Sequence, residues 1–311
     1  MDSLISMVAP RIAVAPRPAA FALDAVRSGG GTVVDVDERP EGLIWLGEDM
    51  DALAALLSDA PDLRWVQLPS AGIERVVEAG LLDAWFTWTC AKGAFAEPVA
   101  EHALTLALAA LRLLPERARA RSWGAQAGTS LYDERVTILG AGGITGALLE
   151  QLAPFRVHTT VVRRRPDPMP GASRTVALAE LHEALAGSLV VFLALALSPE
   201  TTGIVGAAAL DHMDERAWLV NVARGRHVET DALVEALARG SIAGAAIDVT
   251  DPEPLPDGHP LWGLPNCIIT PHTADTPEMI RPLLAERIRT NVVRFIAGDE
   301  LVGLVDPRAG Y

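Results

Sequence analysis

Three apolar runs in the second half of the chain each end in polar side chains that can take part in chemistry. The run "LVNVARGRHVE" carries Arg224, "AAIDVTDPEPLPDGHPLW" carries Asp248 and Glu253, and "NCIITPHTA" carries His272. Glu253 follows Arg224 by 29 residues, and His272 follows Glu253 by 19. An imidazole can donate a proton near neutral pH, and a guanidinium can bind a carboxylate. Taken singly, the same side chains can also be a turn histidine, a loop acid and a helix-terminus cation.

The segment "RVTILGAGGITG" has the pattern of a phosphate-binding turn between a strand and a helix that begins near Ile144. Gly140 and Gly142 permit a tight turn, so that backbone amides at the helix N-terminus can approach a pyrophosphate. The sequence therefore predicts dinucleotide contacts at Gly140, Gly142, Gly143 and Ile144. Thr145 stands where a third glycine usually packs the helix on the strand, and we expect it to displace the helix slightly. The alternative is a glycine-rich turn without a ligand.

Three adjacent cations, Arg163, Arg164 and Arg165, end the apolar run "VVRRRP" in a chain with a formal net charge of -14. Arg163 follows Gly140 by 23 residues. At about this spacing, NAD-binding folds usually carry an acid that accepts hydrogen bonds from the ribose 2′-hydroxyl. Arginine can instead hold a 2′-phosphate. The cluster predicts NADP(H) as the cofactor, with NAD(H) possible, and the alternative is a solvated basic strand end.

Composition narrows the class of protein. The 311 residues are 50% hydrophobic and 21% charged, which is typical of globular domains. An acidic chain is repelled by nucleic acid and by anionic membranes, so neither is expected as a partner. Cys90 and Cys267 form no CxxC pattern, which predicts no metal site and a reducing compartment. The N-terminus does not resemble a signal peptide, and the apolar stretch 98–116 is short for a membrane span. We therefore expect a cytoplasmic protein.

Short apolar runs alternate with helical patterns along the whole chain, which predicts parallel strands joined by helices. The fold class we expect is α/β, with two doubly wound parallel-sheet domains. Residues 98–277 are predicted to form a Rossmann-type dinucleotide-binding domain, and residues 1–97 with 278–311 a smaller, flavodoxin-like substrate domain. We expect a cleft between the domains that closes over the ligands.

Several motifs occur in one order along nearly the whole chain, and together they resemble D-isomer-specific 2-hydroxyacid dehydrogenases. They are "LPSAGIE", "AEH", "SPETTGIVG" and the three segments that carry Arg224, Glu253 and His272. The resemblance implies an NAD(P)-dependent enzyme that reduces a small 2-keto acid to the D-2-hydroxy acid by hydride transfer. A dinucleotide-sensing regulatory protein on the same scaffold is the alternative.

The resemblance also implies a role for each candidate site residue in the three segments. His272 would protonate the carbonyl oxygen, while Glu253 orients its ring and keeps it charged. Arg224 would bind the substrate carboxylate and polarise the carbonyl. Asp248 would accept a hydrogen bond from the nicotinamide carboxamide, and Ala223 would contact the cofactor.

The first part of the chain has candidate substrate contacts by the same resemblance. The backbone amides of Ser70, Ala71 and Gly72 would receive the substrate carboxylate, although a plain strand-to-helix turn has the same sequence. Trp45 would line the substrate pocket, although an aromatic residue at a strand end is more often part of a core. Trp123, in "RARARSWG", resembles an arm that crosses between subunits and implies a homodimer.

Other residues indicate which branch of the family the chain resembles and where it differs from the family pattern. The arginine cluster, Trp45 and the end of the sequence at "LVGLVDPRAGY", which leaves no room for a regulatory domain, favour the glyoxylate and hydroxypyruvate reductase branch. Ala196 stands where the family often has proline, which is a second departure beside Thr145. In "AEH", Glu101 and His102 are expected to serve interdomain packing.

Overall fold

The computed structural model describes residues 9–82 and 85–306. Contacts within the chain divide it into a first unit, up to Phe95 and from Thr276 onward, and a second unit, Ala96–Asp275. Each unit contains one fully parallel sheet, so the predicted α/β class with two parallel-sheet domains is confirmed. Which unit binds substrate and which binds dinucleotide stays a prediction.

The first unit has a five-stranded sheet in the order β2-β1-β3-β4-β5, which is the flavodoxin-like order that we expected. Its strands are β1 Arg11–Ala15, β2 Thr32–Val34, β3 Gly42–Trp45, β4 Trp65–Gln67 and β5 Thr87–Thr89. Its helices are α1 Ala20–Ser28, α2 Met50–Ser58, α3 Glu74–Glu78 and the C-terminal helix Pro277–Ala297. Cys90 follows β5 as a buried free thiol.

The second unit has a seven-stranded sheet in the order β12-β11-β10-β9-β6-β7-β8. Its strands are β6 Arg135–Leu139, β7 His158–Arg163, β8 Arg174–Ala177, β9 Val190–Leu193, β10 Trp218–Asn221, β11 Gly244–Ile247 and β12 Cys267–Ile269. Its helices are α4 Ala96–Leu111, α5 Leu114–Arg119, α6 Gly143–Leu152, α7 Leu181–Leu185, α8 Ala207–Asp211, α9 Thr230–Arg239 and α10 Pro260–Gly263. The strand order reverses beside β6, which is the arrangement of a Rossmann fold.

The central strands of this sheet explain the continuous apolar runs of the sequence. Every residue of β9, β10 and β11 is buried, as expected of parallel strands covered on both faces. Polar side chains that could face a ligand are therefore found where these strands end, and not within them. Among the described residues, no helix combines the length and the apolar character needed to span a membrane.

Candidate active site

The carboxyl edge of the second unit's sheet gathers most of the predicted site residues. Gly140 directly follows β6, Arg163 ends β7, and Asp248 directly follows β11. Arg224 and His272 each lie three residues beyond the end of a strand, β10 and β12 respectively. Because all seven strands are parallel, these ends share one edge, which is where open α/β sheets bind ligands.

His272 and Glu253 form a close pair. The imidazole Nδ1 lies 2.6 Å from Glu253 Oε1, and the two side chains are 44% and 42% exposed. Since an ionised carboxylate only accepts hydrogen bonds, the imidazole donates from Nδ1. The second oxygen of Glu253 accepts the backbone N–H of Thr250 at 3.3 Å. The pairing leaves Nε2 as the nitrogen of His272 that can face a substrate.

The backbone at His272 has a conformation that is unusual for a residue with a side chain. Its φ is +49°, in the left-handed region, which costs of order 1–3 kcal/mol for a non-glycine residue. Two hydrogen bonds hold it there, from the His272 N–H to the carbonyl oxygens of Asp248 at 2.8 Å and Thr270 at 3.0 Å. The direction of the imidazole is therefore fixed by the backbone as well as by Glu253.

Asp248 binds the loop that carries His272. Its carboxylate accepts the Thr270 hydroxyl at 2.5 Å and the N–H groups of Thr273 and Ala274 at 2.9 and 3.0 Å. Asp248 is 2% exposed. Burial raises its pKa, but these hydrogen bonds and one from His102 outweigh that effect and lower the pKa to about 2. The predicted contact of Asp248 with the carboxamide stays a prediction, whereas its hold on the 270–274 loop was missed from the sequence.

Two further side chains near this loop were not assigned to the site from the sequence. His102, expected to serve interdomain packing, has its Nε2 3.1 Å from Thr270 Oγ1 and 3.3 Å from Asp248 Oδ1, all within the second unit. Asp275 follows His272 by three residues. The pKa of Asp275 is raised, chiefly by burial and also by the charge of Asp248. The positive charges of His272 and Arg224 oppose this shift. A second carboxyl group therefore belongs to the electrostatics of this edge.

Arg224 is fixed by its neighbours in the sequence. Asn221 donates from Nδ2 to the Arg224 carbonyl at 2.9 Å and accepts the Ala223 N–H at 3.0 Å. The guanidinium donates from Nη1 to the Ala223 carbonyl at 2.8 Å. A Cβ at Gly225 would overlap the backbone of Thr250, so only glycine allows this turn to lie so close to the segment after β11.

The glycine turn has the features that a bound pyrophosphate needs. Gly140 has φ +108°, and a Cβ there would strike the Ala194 carbonyl. Gly142 is the N-cap of α6 and has nothing within 4 Å of the place where a Cβ would stand. The helix begins at Gly143, and the predicted contact Ile144 lies in its first turn. Space beside a helix N-terminus suits a phosphate group.

Thr145, the departure from the third glycine, is accommodated inside the turn. Its side chain is 0% exposed, and its hydroxyl donates to the Gly140 carbonyl at 3.0 Å. The hydroxyl therefore closes the turn with a hydrogen bond that a glycine could not make.

The arginine cluster lies at the end of β7. Arg163 is half-buried and donates from Nη1 to the Asp167 carbonyl at 3.3 Å, while Arg164 and Arg165 are exposed. The pKa of Glu200 is lowered chiefly by the hydroxyl of Ser198 and also by the charge of Arg164. A protein carboxylate is therefore near one of the three cations.

The predicted substrate contacts of the first unit have two different environments. Ser70 and Ala71 are exposed and Gly72 is partly exposed, in the turn between β4 and α3, where the Ser70 hydroxyl donates to the Gly72 carbonyl at 2.5 Å. Trp45 is 1% exposed and belongs to the hydrophobic core of this unit, which is the alternative that the sequence left open. Within the described part of the chain, its indole N–H has no hydrogen-bond partner.

Trp123 lies in an exposed segment that begins in the last residues of α5 and continues without regular secondary structure. Residues 118–130 are all exposed, and the Trp123 side chain is 93% exposed.

The family model for "D-isomer specific 2-hydroxyacid dehydrogenase, NAD binding domain" matches residues 103–274, which is more than half of the chain. The chain belongs to the D-isomer specific 2-hydroxyacid dehydrogenase family. The resemblance expected from the motifs is therefore confirmed, and with it the class of NAD(P)-dependent oxidoreductases.

Individual relatives match most of the chain. An "Uncharacterized protein in proB 3'region" of Corynebacterium melassecola is 41% identical over 92% of this chain and 95% of its own length. The human "Glyoxylate reductase/hydroxypyruvate reductase" is 30% identical over 84% of this chain and 82% of its own. The crystal structure of a family member from Xanthobacter autotrophicus Py2, in complex with NADPH and MES, has a TM-score of 0.86 and 28% identity. It covers 98% of this chain and 100% of that one.

Proposed function

We propose that this dehydrogenase reduces a small 2-keto acid, of the glyoxylate or hydroxypyruvate type, to the D-2-hydroxy acid with NADPH. The observation that carries the proposal is the His272–Glu253 pair, with Nδ1 held at 2.6 Å and Nε2 left for a substrate. The human relative named as a glyoxylate and hydroxypyruvate reductase and the NADPH complex of the Xanthobacter relative support the choice of substrate and cofactor.

A dinucleotide bound at the glycine turn would supply the hydride that the keto carbon receives. His272 donates its Nε2 proton to the carbonyl oxygen as that oxygen gains charge, and the imidazole is left neutral. Glu253 orients the ring and stabilises its charged form. Arg224 binds the substrate carboxylate and polarises the carbonyl, a role for which a planar guanidinium is better suited than an ammonium.

The dinucleotide would be held by the glycine turn and the arginine cluster. The N-terminus of α6 at Gly142, Gly143 and Ile144 would receive the pyrophosphate, and Gly140 allows the chain to turn there. Arg163, with Arg164 and Arg165, would bind the 2′-phosphate. Near the nicotinamide, Ala223 and Asp248 are the proposed contacts.

Substrate contacts from the first unit and the assembly complete the proposal. The backbone amides of Ser70, Ala71 and Gly72 would bind the substrate carboxylate. The exposed stretch 118–130 with Trp123 would contact a second copy of the chain in a homodimer. Trp45, which the sequence offered as a pocket residue, lies in the hydrophobic core of the first unit and is given no substrate contact. The predicted cytoplasmic location stays a prediction.

Oxidation of NADPH with glyoxylate, hydroxypyruvate, phenylpyruvate and branched 2-keto acids tests the activity. We expect turnover with the smallest keto acids, and His272→Ala should abolish it while dinucleotide affinity, measured by NADPH fluorescence, stays within about twofold. Wild-type rates in that variant would refute the role of His272. Tight dinucleotide binding with no turnover on any keto acid would instead favour the dinucleotide-sensing regulatory protein.

The cofactor assignment has its own test. Replacing Arg163 and Arg164 together by alanine should raise KM for NADPH by roughly 10- to 100-fold, because charge-assisted hydrogen bonds to a phosphate are lost. KM for NADH should change little. An equal effect on both cofactors would contradict the assignment of the cluster to the 2′-phosphate.

A further inference from the structure

His227 is a buried titratable side chain with no part in the proposed reaction. It follows Arg224 by three residues and is 0% exposed. Its Nε2 lies 3.3 Å from the Ala196 carbonyl oxygen. Its Nδ1 lies 3.2 Å from the backbone nitrogen of Arg224 and 3.1 Å from the Arg224 carbonyl oxygen. The imidazole therefore stands between two segments that follow different strands, β9 and β10.

The partners assign the tautomer of the neutral ring. Both ring nitrogens lie near a carbonyl oxygen, but only Nδ1 also lies near a donor, the Arg224 N–H. Because that N–H needs an acceptor, the hydrogen of the neutral ring belongs on Nε2 and is donated to Ala196. Nδ1 then has a lone pair and accepts the Arg224 N–H. In this way His227 caps the start of the short turn 225–227, which a glutamate or glutamine does in the usual capping box. The ring satisfies one donor of the Arg224 segment and one acceptor of the Ala196 segment.

Backbone hydrogen bonds continue the same link between the two segments. The Gly203 N–H donates to the Arg226 carbonyl at 2.9 Å, and the Val205 N–H donates to the His227 carbonyl at 2.9 Å. The Ala196 carbonyl also accepts the Thr201 hydroxyl at 2.8 Å. The segment that begins at Ala196 is thus held by several hydrogen bonds.

One of the two linked segments carries a proposed substrate ligand, and the other contacts the proposed dinucleotide turn. Arg224 is the proposed ligand of the substrate carboxylate. Ala194, two residues before Ala196, has its carbonyl against Gly140 in the glycine turn. A rigid connection between these segments would keep the guanidinium and the turn in fixed positions.

We propose that His227 is a positioning residue: Nδ1 sets the backbone of Arg224 for substrate binding, and Nε2–H holds the segment beside the dinucleotide turn. The consequence for substrate and cofactor rests on the proposed function. The two hydrogen bonds use different ring nitrogens, so a substitution can remove one and keep the other. By this proposal, loss of the first affects substrate binding and loss of the second affects dinucleotide binding.

Two conservative variants separate the two bonds. Asparagine can place its Oδ1 near the position of Nδ1, so His227→Asn keeps an acceptor for the Arg224 N–H and loses the bond to Ala196. Glutamine can place its Nε2 near the position of the imidazole Nε2, so His227→Gln keeps the donor to Ala196 and loses the acceptor. His227→Leu keeps an apolar volume and loses both.

Hydrogen exchange tests the link without any need for turnover. In His227→Asn, exchange should rise in peptides covering 196–205 and stay unchanged over 221–228. In His227→Gln the pattern should reverse, and in His227→Leu both segments should exchange faster. Unchanged exchange in all three variants, or the same change in both segments of the Asn and Gln variants, would overturn the proposal.

Ligand measurements test the consequence for binding. Loss of one buried hydrogen bond should weaken binding roughly 5-fold. His227→Gln should therefore raise KM for glyoxylate, and the Kd of oxamate with the NADPH-loaded enzyme, about 5-fold, with kcat less affected. His227→Asn should instead raise the Kd of NADPH. If wild type turns over no keto acid, the proposed function fails while the exchange pattern still decides the link. Equal effects of both variants on oxamate and NADPH would refute separate positioning.

Discussion

Asp248→Asn is the substitution whose effect on stability can be worked out most fully from the structure. Asparagine keeps the size of the side chain and removes its charge. The folded protein lowers the pKa of Asp248 from 3.8 to about 2, and this shift corresponds to about 2 kcal/mol of stability at neutral pH. The amide adds a further loss, because its NH2 group must face a donor, the N–H of either Thr273 or Ala274. We expect the free energy of unfolding at pH 7 to fall by about 3 kcal/mol.

The pH dependence of this difference has a definite sign. Because the pKa of Asp248 is lowered in the folded state, its contribution is complete above the unfolded-state pKa near 4. It disappears as the pH falls through the folded-state value near 2. The difference between wild type and Asp248→Asn should therefore be constant from pH 7 to about 5. Between about pH 4 and 2 it should shrink.

The measurement is urea unfolding of wild type and Asp248→Asn at a series of pH values, with hydrogen exchange as the probe of the second unit. Asp257→Asn, at an exposed position after the same strand, is the matched control and should change stability by less than about 0.5 kcal/mol. A loss no larger than that of the control, or a loss that stays constant down to pH 3, would refute the account of Asp248 as an ionised anchor of the His272 loop.

Three other changes test separate parts of the site. Glu253→Gln keeps an acceptor for the His272 ring and removes the charge, so kcat for keto-acid reduction should fall roughly 10- to 100-fold; an unchanged kcat in steady-state assays would contradict the pairing as a catalytic feature. Gly140→Ala should lower the melting temperature and weaken NADPH binding, because φ is +108° and the Cβ meets the Ala194 carbonyl. Its control, Gly142→Ala, has room for a Cβ and should weaken only NADPH binding, as titration and thermal unfolding would show; equal melting temperatures of the two variants would count against this reasoning. Trp123→Ala should convert a dimer into a monomer in light scattering at micromolar concentration, and a wild-type monomer would remove the proposed role of the 118–130 stretch.

The sequence predicted the features that depend on local pattern and order. Continuous apolar runs indicated strands buried on both faces, and β9, β10 and β11 are buried throughout. The glycine turn was placed correctly between β6 and α6 because tight turns have a local signature. Trp45 shows the limit of that reasoning: an aromatic residue at a strand end has the same local pattern whether it faces a pocket or a core, and packing places it in the core.

Features that depend on how the folded chain packs could not be predicted from the sequence. His102 and Thr270 are 168 residues apart in the chain, and their contact exists only because α4 packs against β10 and β11. Asp275 had no motif that marked it, since its altered pKa comes mainly from burial. Thr145 was identified as a departure, but its bond to the Gly140 carbonyl depends on the folded turn.

Polar residues at the ends of these strands divide into those that can face a ligand and those that hold the first group in place. His272 and Glu253 are each more than two-fifths exposed, whereas Asp248 and His227 are buried and bonded to backbone atoms beside His272 and Arg224. All four residues follow strands of the same sheet, so their positions in the sequence do not separate the two groups. Burial together with backbone partners does separate them. For this reason, substitutions at Asp248 and His227 should show first in stability, hydrogen exchange and ligand affinity, and substitutions at His272 and Glu253 should show first in kcat.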